Sequence, residues 1–489
     1  MRRALALLLA ACAGCTIVPE KTVRDAVSPQ PAQPWTPPSA KAAMPPPPVE
    51  KAAPVVPEEY LKPGTTLSLA QLVDVGLHAN PQTRAAWASA RSAAANVGAK
   101  RAPYFPTFEA DGQLLREKTP FANGPGLLSI LDTTYGPTVA ATWLLFDSGG
   151  READVEQATR ALYAANWTHN AAIQDVVLQI ASAYYQYLNA KALVIARQAN
   201  LDEARRSLDS AQERHRAGVA TIADVLQART ARSQAELQLQ TLEGILLVTK
   251  GSLAVSMGLA ANTPFDVPAV TLSDSVHFIT ESVDSLIDVA VRNRPELASA
   301  RAQAAAANSQ IRVAKSGYLP SLAFVGTGAN NASNVSNFAG NTYSLNLGLS
   351  VPVFSGFSNH YDVAAANEQY QAAQARTELT RQQIIQQVFT AYYTLRTATD
   401  RVRTSRDLLA SAIQSEEVAR GRYREGVGSI VDLLVAQSAL ATARSQDVDS
   451  RWQWRSALAQ LAHDVGVLNA RGDATFPQFT PAPNVRPQQ

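Results

Sequence analysis

Residues 217–228 read AGVATIADVLQA and residues 425–436 read EGVGSIVDLLVA, so one distinctive segment occurs twice in the chain. Its glycines, Gly218 and Gly426, are 208 residues apart. The same offset relates three further pairs, namely Arg214 with Arg422, Ala183-Tyr184-Tyr185 with Ala391-Tyr392-Tyr393, and Gly258 with Gly466. A self-match of this length predicts a pseudo-symmetric protein that is built from two copies of one long unit.

Composition narrows the classes of function. The chain has 489 residues and a formal net charge of +2, so it lacks the basic field that nucleic-acid binding requires. No window approaches the roughly 18 consecutive apolar residues of a membrane-spanning helix. Both cysteines lie near the start, so the body of the protein has neither a disulfide framework nor a thiol catalyst.

The first residues have the features of a secretion signal. Arg2 and Arg3 precede a short apolar stretch and two cysteines, Cys12 and Cys15. Leu9-Ala10-Ala11-Cys12 resembles a bacterial lipobox, and Cys15 is a rival acceptor. We therefore expect a lipoprotein-type signal over residues 1–14 and lipidation at Cys12 or Cys15, although an ordinary cleaved signal is the alternative. A single acyl-bearing cysteine would anchor the chain to a membrane without spanning it.

Residues 15–65 are rich in proline, including Pro45-Pro46-Pro47-Pro48. Such a composition favours extended polyproline structure and predicts a semi-rigid tether. A PxxP recognition site is the less favoured alternative. The remaining boundaries that we expect are a first repeat over 66–265, an inter-repeat segment over 266–282, a second repeat over 283–468 and a flexible tail over 469–489.

Each repeat begins with helical periodicity and then changes to strand periodicity. Amphipathic stripes are interrupted at Asn80-Pro81 and at Arg294-Pro295, and helix stops before Pro106 and Pro320. From Tyr343 to Val353, bulky apolar residues alternate with small or polar ones. This alternation predicts one apolar and one polar face, as in a transmembrane β-barrel, although a water-soluble sandwich gives the same pattern. Four strands cannot close a barrel, so the membrane interpretation requires several chains to share one.

A very long helix follows each predicted β-hairpin. Residues 151–217 contain neither Gly nor Pro, and the corresponding stretch from Ser358 contains only Gly421. Globular helices average about 11–12 residues, so this length indicates coiled-coil packing. Gly218 and Gly426 then predict helix ends, and Thr221 with Asp224, like Ser429 with Asp432, resembles a capping box for a return helix.

This order of elements, present twice, resembles that of the TolC-type outer-membrane efflux channels. The resemblance rests on the tip sequences, the Tyr-x-Pro steps and Phe146-Asp147-Ser148-Gly149-Gly150, and it covers residues 66–468. The Cys15 start is similar to that of the lipidated branch of the family. The implied fold is mainly α with membrane β: a tandem-duplicated β-hairpin plus long α-hairpin, which forms a trimeric 12-stranded β-barrel and a periplasmic α-barrel.

The resemblance also implies a function and partners. It implies a homotrimer in outer membrane lipid that meets a periplasmic adaptor (membrane-fusion) protein and an inner-membrane pump, with no cofactor and no nucleic acid. Efflux of drugs, toxic compounds or metals is the expected role, and a type I protein-secretion conduit is the alternative. The implied adaptor-docking tips are Gly218, Val219, Ala220, Thr221, Gly426, Val427, Gly428 and Ser429, and the implied membrane-facing strand presents Leu345, Leu347, Leu349 and Val351.

Only some residues of the family's periplasmic gate have a match in this sequence. Asp432 and Tyr423 match gate residues, and Asp224 is the equivalent of Asp432 in the first repeat. Val435 and Gly428 replace an expected acid and an expected base, so the family's salt-bridged lock cannot be copied here. Asp432 is expected either to form a ring of like charges in a trimer or to cap its helix, or to do both.

Two other classes of function explain less. The six histidines are scattered and form no HExxH pair, and the sequence has no GxSxG elbow, Walker loop or GxGxxG, so we expect no catalytic site and no metal. A purely structural coiled coil would account for the helices but not for the alternating hairpins.

Overall fold

The computed structural model describes residues 27–36, 66–123, 126–268, 281–334 and 339–468. These residues form eight α-helices and four β-strands in an order that repeats once. The first copy consists of α1 (Leu69–Ala79), α2 (Pro81–Lys100), β1 (Thr107–Asn123), β2 (Gly126–Phe146), α3 (Gly150–Arg216) and α4 (Ile222–Ser256). The second consists of α5 (Val283–Asn293), α6 (Pro295–Ser316), β3 (Ser321–Ser333), β4 (Ala339–Ser350), α7 (Ser358–Arg424) and α8 (Ile430–Val465).

Local sequence signals set the ends of the helices. Ser68 begins α1 with a capping box to Gln71, and Pro81 takes the first position of α2, where its missing N–H costs nothing. Gly466 ends α8 in the left-handed conformation with φ +77°. The helices α3 and α7 both have 67 residues, about 100 Å at 1.5 Å per residue. The sequence prediction of two uninterrupted long helices is therefore confirmed, and Gly421 does not break α7.

The strands form one antiparallel sheet in the order β1-β2-β3-β4. β1 and β2, at 17 and 21 residues, are paired along the whole length of β1, from Thr107 with Thr142 to Asn123 with Gly126. Pro120 is tolerated within β1 because that strand lies at an edge of the sheet. β4 ends at Ser350, which pairs with Ser321, the first residue of β3, so Val351 has no residue of β3 to pair with. Val351 therefore lies outside the strand, contrary to the prediction.

The described residues divide into two compact units. One contains the sheet with Ser89–Asn166 and Ala298–Glu378, and its small apolar core includes Ala90, Val97 and Leu162. The other contains Ser28–Ala88, Trp167–Leu297 and Leu379–Gln489, as far as these are described. Two larger apolar clusters lie in this second unit, one around Leu72, Ile180 and Met257 and the other around Leu297, Ile384 and Leu461. No helix in the described residues is long and apolar enough to cross a membrane.

Part of the segment that was expected to be a tether is packed against the second unit. Trp35 is buried and meets Trp167 edge to face, with ring centroids 5.6 Å apart. The indole N–H of Trp87 donates to the carbonyl of Ser28 at 2.9 Å. We call residues 28–35 the N-terminal strap. No local pattern in the sequence predicts this packing, because the residues that contact the strap lie more than 50 residues away along the chain.

Candidate functional site

The two regions where the chain reverses between long helices, which we call tip 1 (residues 214–225) and tip 2 (residues 422–433), have the same backbone geometry. Gly218 and Gly426 adopt φ +75° and +77°, a left-handed conformation that glycine enters without a Cβ penalty. In each turn the residue after the glycine donates its N–H to a carbonyl of the last helical turn, Val219 to Arg214 and Val427 to Arg422, both at 2.9 Å. These bonds satisfy carbonyls that have no partner within the helix.

Both return helices begin with the predicted capping boxes. Thr221 accepts the N–H of Asp224, and Asp224 in turn accepts the N–H of Thr221 at 2.8 Å. Ser429 and Asp432 repeat this exchange at 3.1 and 3.3 Å. The side-chain hydroxyl and the backbone N–H of Ser429 bind the Asp432 carboxylate and lower its pKa, although the carboxylate is fully exposed. The helix-capping role of Asp432 is therefore formed within a single chain.

The outer surface of each tip is apolar and open. Val219 and Val427 are about two-thirds exposed, at 65% and 69%. Ala220 and Gly428 occupy equivalent, partly buried positions beside them. An apolar side chain that is two-thirds exposed on a rigidly held turn is available for contact with a partner.

The side chain of Tyr423 fills the small apolar core of tip 2. This residue is 7% exposed and packs with Ile430 and Leu433. Burial raises the pKa of the Tyr423 phenol, and its oxygen has no hydrogen-bond partner among the described residues. Tyr423 thus belongs to the core of its tip, while the Asp432 carboxylate lies on the surface.

Arg214 also belongs to the site, although the sequence marks it only as the counterpart of Arg422 in the repeat. Arg214, near the end of α3, extends from tip 1 to tip 2. Its Nη1 donates to the carbonyl of Tyr423 at 3.0 Å and to that of Arg424 at 3.4 Å, and its guanidinium lies 4.9 Å from the centroid of the Tyr423 ring. Cations are stabilised at helix C-termini and over aromatic faces. Arg214 therefore links the two tips of one chain.

Gly428 has a steric role as well. A Cβ at this position would lie 3.0 Å from the Cβ of Arg422 and 3.2 Å from the backbone nitrogen of Tyr423. A larger residue there would have to displace the end of α7. A side chain at Gly428, where the family resemblance implied a basic residue, would therefore require a small shift of its neighbours.

The sheet presents two chemically different faces. Paired residues point to the same side, so the ladder places Phe108, Ala141, Gly326 and Leu345 in one row and Glu109, Ala140, Thr327 and Ser344 in the next. Leu345, Leu347 and Leu349 lie on the apolar side and are 64–70% exposed. Asp111, Gln113 and Asn346 lie on the polar side, where the hydroxyls of Thr327 and Ser344 are 2.7 Å apart. A large exposed apolar sheet face requires a partner or a lipid environment.

A buried ionic cluster lies at the end of α8. His463 directs Nε2 at Asp175 (3.0 Å) and Nδ1 at Asp464 (2.9 Å), while Arg294 pairs with Asp464 and holds both oxygens of Glu296. Ligand atoms of Asp175, Glu296 and His463 lie within 4.8 Å of one another, a grouping that sequence spacing did not reveal. Only an imidazolium can donate from both ring nitrogens, so the arrangement fits an ion-pair network. Burial alone would lower the pKa of His463, but the bonds to Asp175 and Asp464 raise it to about 8.

Several predictions fall outside the described residues. These are the signal over residues 1–14, the lipidation candidates Cys12 and Cys15, most of the tether, the middle of the inter-repeat segment and the tail over 469–489. The start of the inter-repeat segment is described: Asp266 bonds Lys191 at 3.0 Å and the hydroxyl of Tyr187 at 2.9 Å.

Comparison with known proteins places this geometry in context. Residues 72–259 and 286–467 match the profile of a family described as "Outer membrane efflux protein". Protein CyaE of Bordetella pertussis is 30% identical over 413 residues, which cover 83% of this chain and 86% of that protein. The toluene efflux pump outer membrane protein TtgC of Pseudomonas putida is 24% identical and covers 84% of each chain. The crystal structure of VceC from Vibrio cholerae superposes with a TM-score of 0.71 at 20% identity, over 81% of this chain and 96% of that one.

Proposed function

The chain belongs to the outer membrane efflux protein family, and from this premise we propose that it is the outer-membrane channel of a tripartite efflux system. The channel conducts small molecules passively, and an inner-membrane pump supplies the energy. Drugs, toxic compounds and metals are the classes of cargo that we propose. Neither catalysis nor a cofactor is part of this function.

The observation that carries the proposal is the pair of faces on the sheet. The apolar row of Leu345, Leu347 and Leu349 suits lipid, and the opposite row, with Glu109, Asp111 and Asn346, suits a water-filled lumen. Strands β1 and β4 are the edges of the four-stranded sheet, and unpaired edges are not tolerated in hydrocarbon. Three copies, each contributing four strands, would pair these edges and close a twelve-stranded barrel.

The tips are the proposed docking surface for a periplasmic adaptor. Val219, Ala220 and Thr221 in tip 1, with Val427, Gly428 and Ser429 in tip 2, offer two similar apolar turns on one chain. The backbone behind them is fixed by Gly218 and Gly426 and by the capping boxes. A rigid pair of turns is suited to binding a partner, because little conformational entropy is lost on binding.

The periplasmic gate is proposed to involve Tyr423, Asp224 and Asp432. In a trimer, three copies of Asp432 would form a ring of negative charge at the narrow end, and such a ring attracts cations. Capping by Asp432 is compatible with this role, since the capped carboxylate stays exposed and charged.

The anchor is proposed to be an acyl chain on Cys12 or Cys15. An acyl anchor would add membrane attachment to the barrel, and the N-terminal strap would hold the chain that leads from it. The placement of the protein in the outer membrane agrees with its family.

In-cell crosslinking tests the proposal, with a photoreactive residue at Ala220 or at Ser429 and identification of the captured protein by mass spectrometry. Capture of an adaptor of a proton-driven pump is the expected result. Capture of an adaptor of an ATP-driven secretion system would move the function to type I protein export. Intact trimers that capture nothing would show that the tips do not dock.

A further inference from the structure

The two tips have an arginine at equivalent positions, and among the described residues only Arg214 donates a side-chain hydrogen bond to the other tip. Arg214 is half-buried and donates to the carbonyls of Tyr423 and Arg424. Arg422 lies 208 residues later and is exposed; its charge helps to lower the pKa of Asp432 in its own tip, but its side chain makes no hydrogen bond among the described residues. Because the two helix ends have the same backbone geometry, the difference arises from what lies beside each tip.

The internal repeat predicts which carbonyl groups Arg422 could bind. The offset of 208 residues maps Tyr423 and Arg424 onto His215 and Arg216, the last residues of α3. Their carbonyls form the negative end of a helix, as do the carbonyls that Arg214 binds. These carbonyls of the same chain are not the partner, because the contact between tip 1 and tip 2 of one chain is the one made by Arg214. We propose that Arg422 binds the α3 carbonyls of His215 and Arg216 in a second copy of this chain.

Other polar contacts between the helical hairpins are not repeated in this way. Within the chain, Arg444 of α8 pairs with Glu203 of α3 at 3.0 Å. The same offset places Glu236 and Ser411 at the equivalent positions, and these cannot form an ion pair. The arginine at the tip is therefore present in both repeats, whereas the mid-hairpin ion pair is present in only one.

The helices that flank this contact have exposed apolar side chains that suit a second copy. On α4 they are Leu226, Leu237, Ile245, Leu247 and Val248, and on α7 they are Leu379, Phe389, Tyr393, Leu408 and Val418. The helix-end carbonyls at the tip and the apolar surface along the hairpin point to the same occupant, a second copy of this chain. The inference rests on the proposed channel, in which several copies surround one axis.

The link between copies differs from the link within a chain in one respect. Arg214 lies over the buried ring of Tyr423, whereas the equivalent residue in tip 1 is His215, which is exposed and directs Nδ1 to the carbonyl of Ala220 at 2.9 Å. The contact of Arg422 would thus consist of carbonyl bonds without a buried aromatic ring. When the tips move apart, we therefore expect the Arg422 contact between copies to break before the Arg214 contact within a chain.

Crosslinking of two differently tagged copies tests the contact. One copy carries Arg422→Cys and the other Arg216→Cys, and membranes that contain both are treated with a short bismaleimide. The expected product has the size of two chains and carries both tags. The matched control is one chain with Arg214→Cys and Arg424→Cys, which should crosslink internally with no such shift in size. The unsubstituted chain, with its own two cysteines, is treated in parallel.

A native gel of the same membranes separates the possible failures. Intact oligomers and a working internal control without the mixed product would overturn the inference alone. A gel that shows only monomers would overturn the channel proposal and the inference together.

Uptake of a large hydrophilic dye through the channel is a second readout. Arg422→Ala should increase this uptake with oligomers unchanged, and Arg422→Lys, which keeps a cationic donor, should restore low uptake. Equal uptake in all three proteins would also overturn the inference.

Discussion

The side-chain amide of Asn170 forms a two-point contact with the backbone of Trp35. Its Oδ1 accepts the Trp35 N–H at 2.6 Å, and its Nδ2 donates to the Trp35 carbonyl at 2.7 Å. The neighbouring His169 is fully buried and bonds the carbonyl of Pro31 through Nε2 at 2.8 Å. Two consecutive residues of α3 thus bind the N-terminal strap in the manner of a strand ladder.

We expect Asn170→Ala to release the strap without unfolding the helices. The change removes two buried hydrogen bonds, each worth about 1 kcal/mol net, and leaves backbone groups of Trp35 unpaired. Limited proteolysis should cut residues 28–36 faster in this variant. Asn367→Ala is the control, because Asn367 is exposed and bonds only its own helix. Equal cleavage of both variants would show that the strap is held by other contacts.

The ionic cluster at His463 predicts a loss of stability at alkaline pH. The folded-state pKa is raised from the ordinary 6.5 to about 8, so the stabilisation is complete below 6.5 and is lost as pH rises through about 8. At about 1.4 kcal/mol per pKa unit, the maximum contribution is roughly 2 kcal/mol per chain. The groups that face the imidazole are Asp175, Asp464, Glu296 and Arg294.

Thermal unfolding of the purified protein at pH 6 and at pH 9 measures this effect. At pH 6, His463→Gln should have a lower melting temperature than the parent. Between pH 6 and pH 9, its melting temperature should fall by less than that of the parent. His78→Gln, on an exposed histidine, should keep the parental pH dependence. An unchanged pH dependence in His463→Gln would exclude His463 as the titrating group.

The two faces of β4 predict opposite responses to one substitution. Leu347→Arg should impair assembly into the membrane by about 2–4 kcal/mol near the bilayer midplane, because it places a charge in lipid. Asn346→Arg, one residue away on the polar face, should be tolerated. The amount of heat-modifiable oligomer in outer-membrane fractions measures both. Similar damage from both substitutions would mean that the faces are assigned in reverse.

Two substitutions at Asp432 separate its capping role from its charge. Asp432→Asn keeps an oxygen that can accept the Ser429 N–H, whereas Asp432→Ala removes both the acceptor and the charge. If a ring of Asp432 carboxylates lines the pore, both variants should lower cation selectivity in single-channel recordings. Changed stability in Asp432→Ala alone, with selectivity unaltered in both variants, would leave only the cap.

The sequence alone determined the repeat, the element order, the two long helices and both tips. Each depends on local signals, such as Gly218 and Gly426 at a left-handed turn, Thr221 and Ser429 at a helix start, and the alternation from Tyr343. The alternation continued to Val351, but β4 ends at Ser350, because the length of a strand depends on where its partner strand begins.

The tertiary structure alone decided which distant residues meet. Arg214 and Tyr423 are separated by 209 residues, His463 and Asp175 by 288, and Asn170 and Trp35 by 135. Side chains that form such contacts have no fixed spacing in sequence, because their distance depends on how whole helices pack. Local chemistry therefore specified the elements and their ends, whereas helix packing created the link between the tips, the charged histidine cluster and the N-terminal strap.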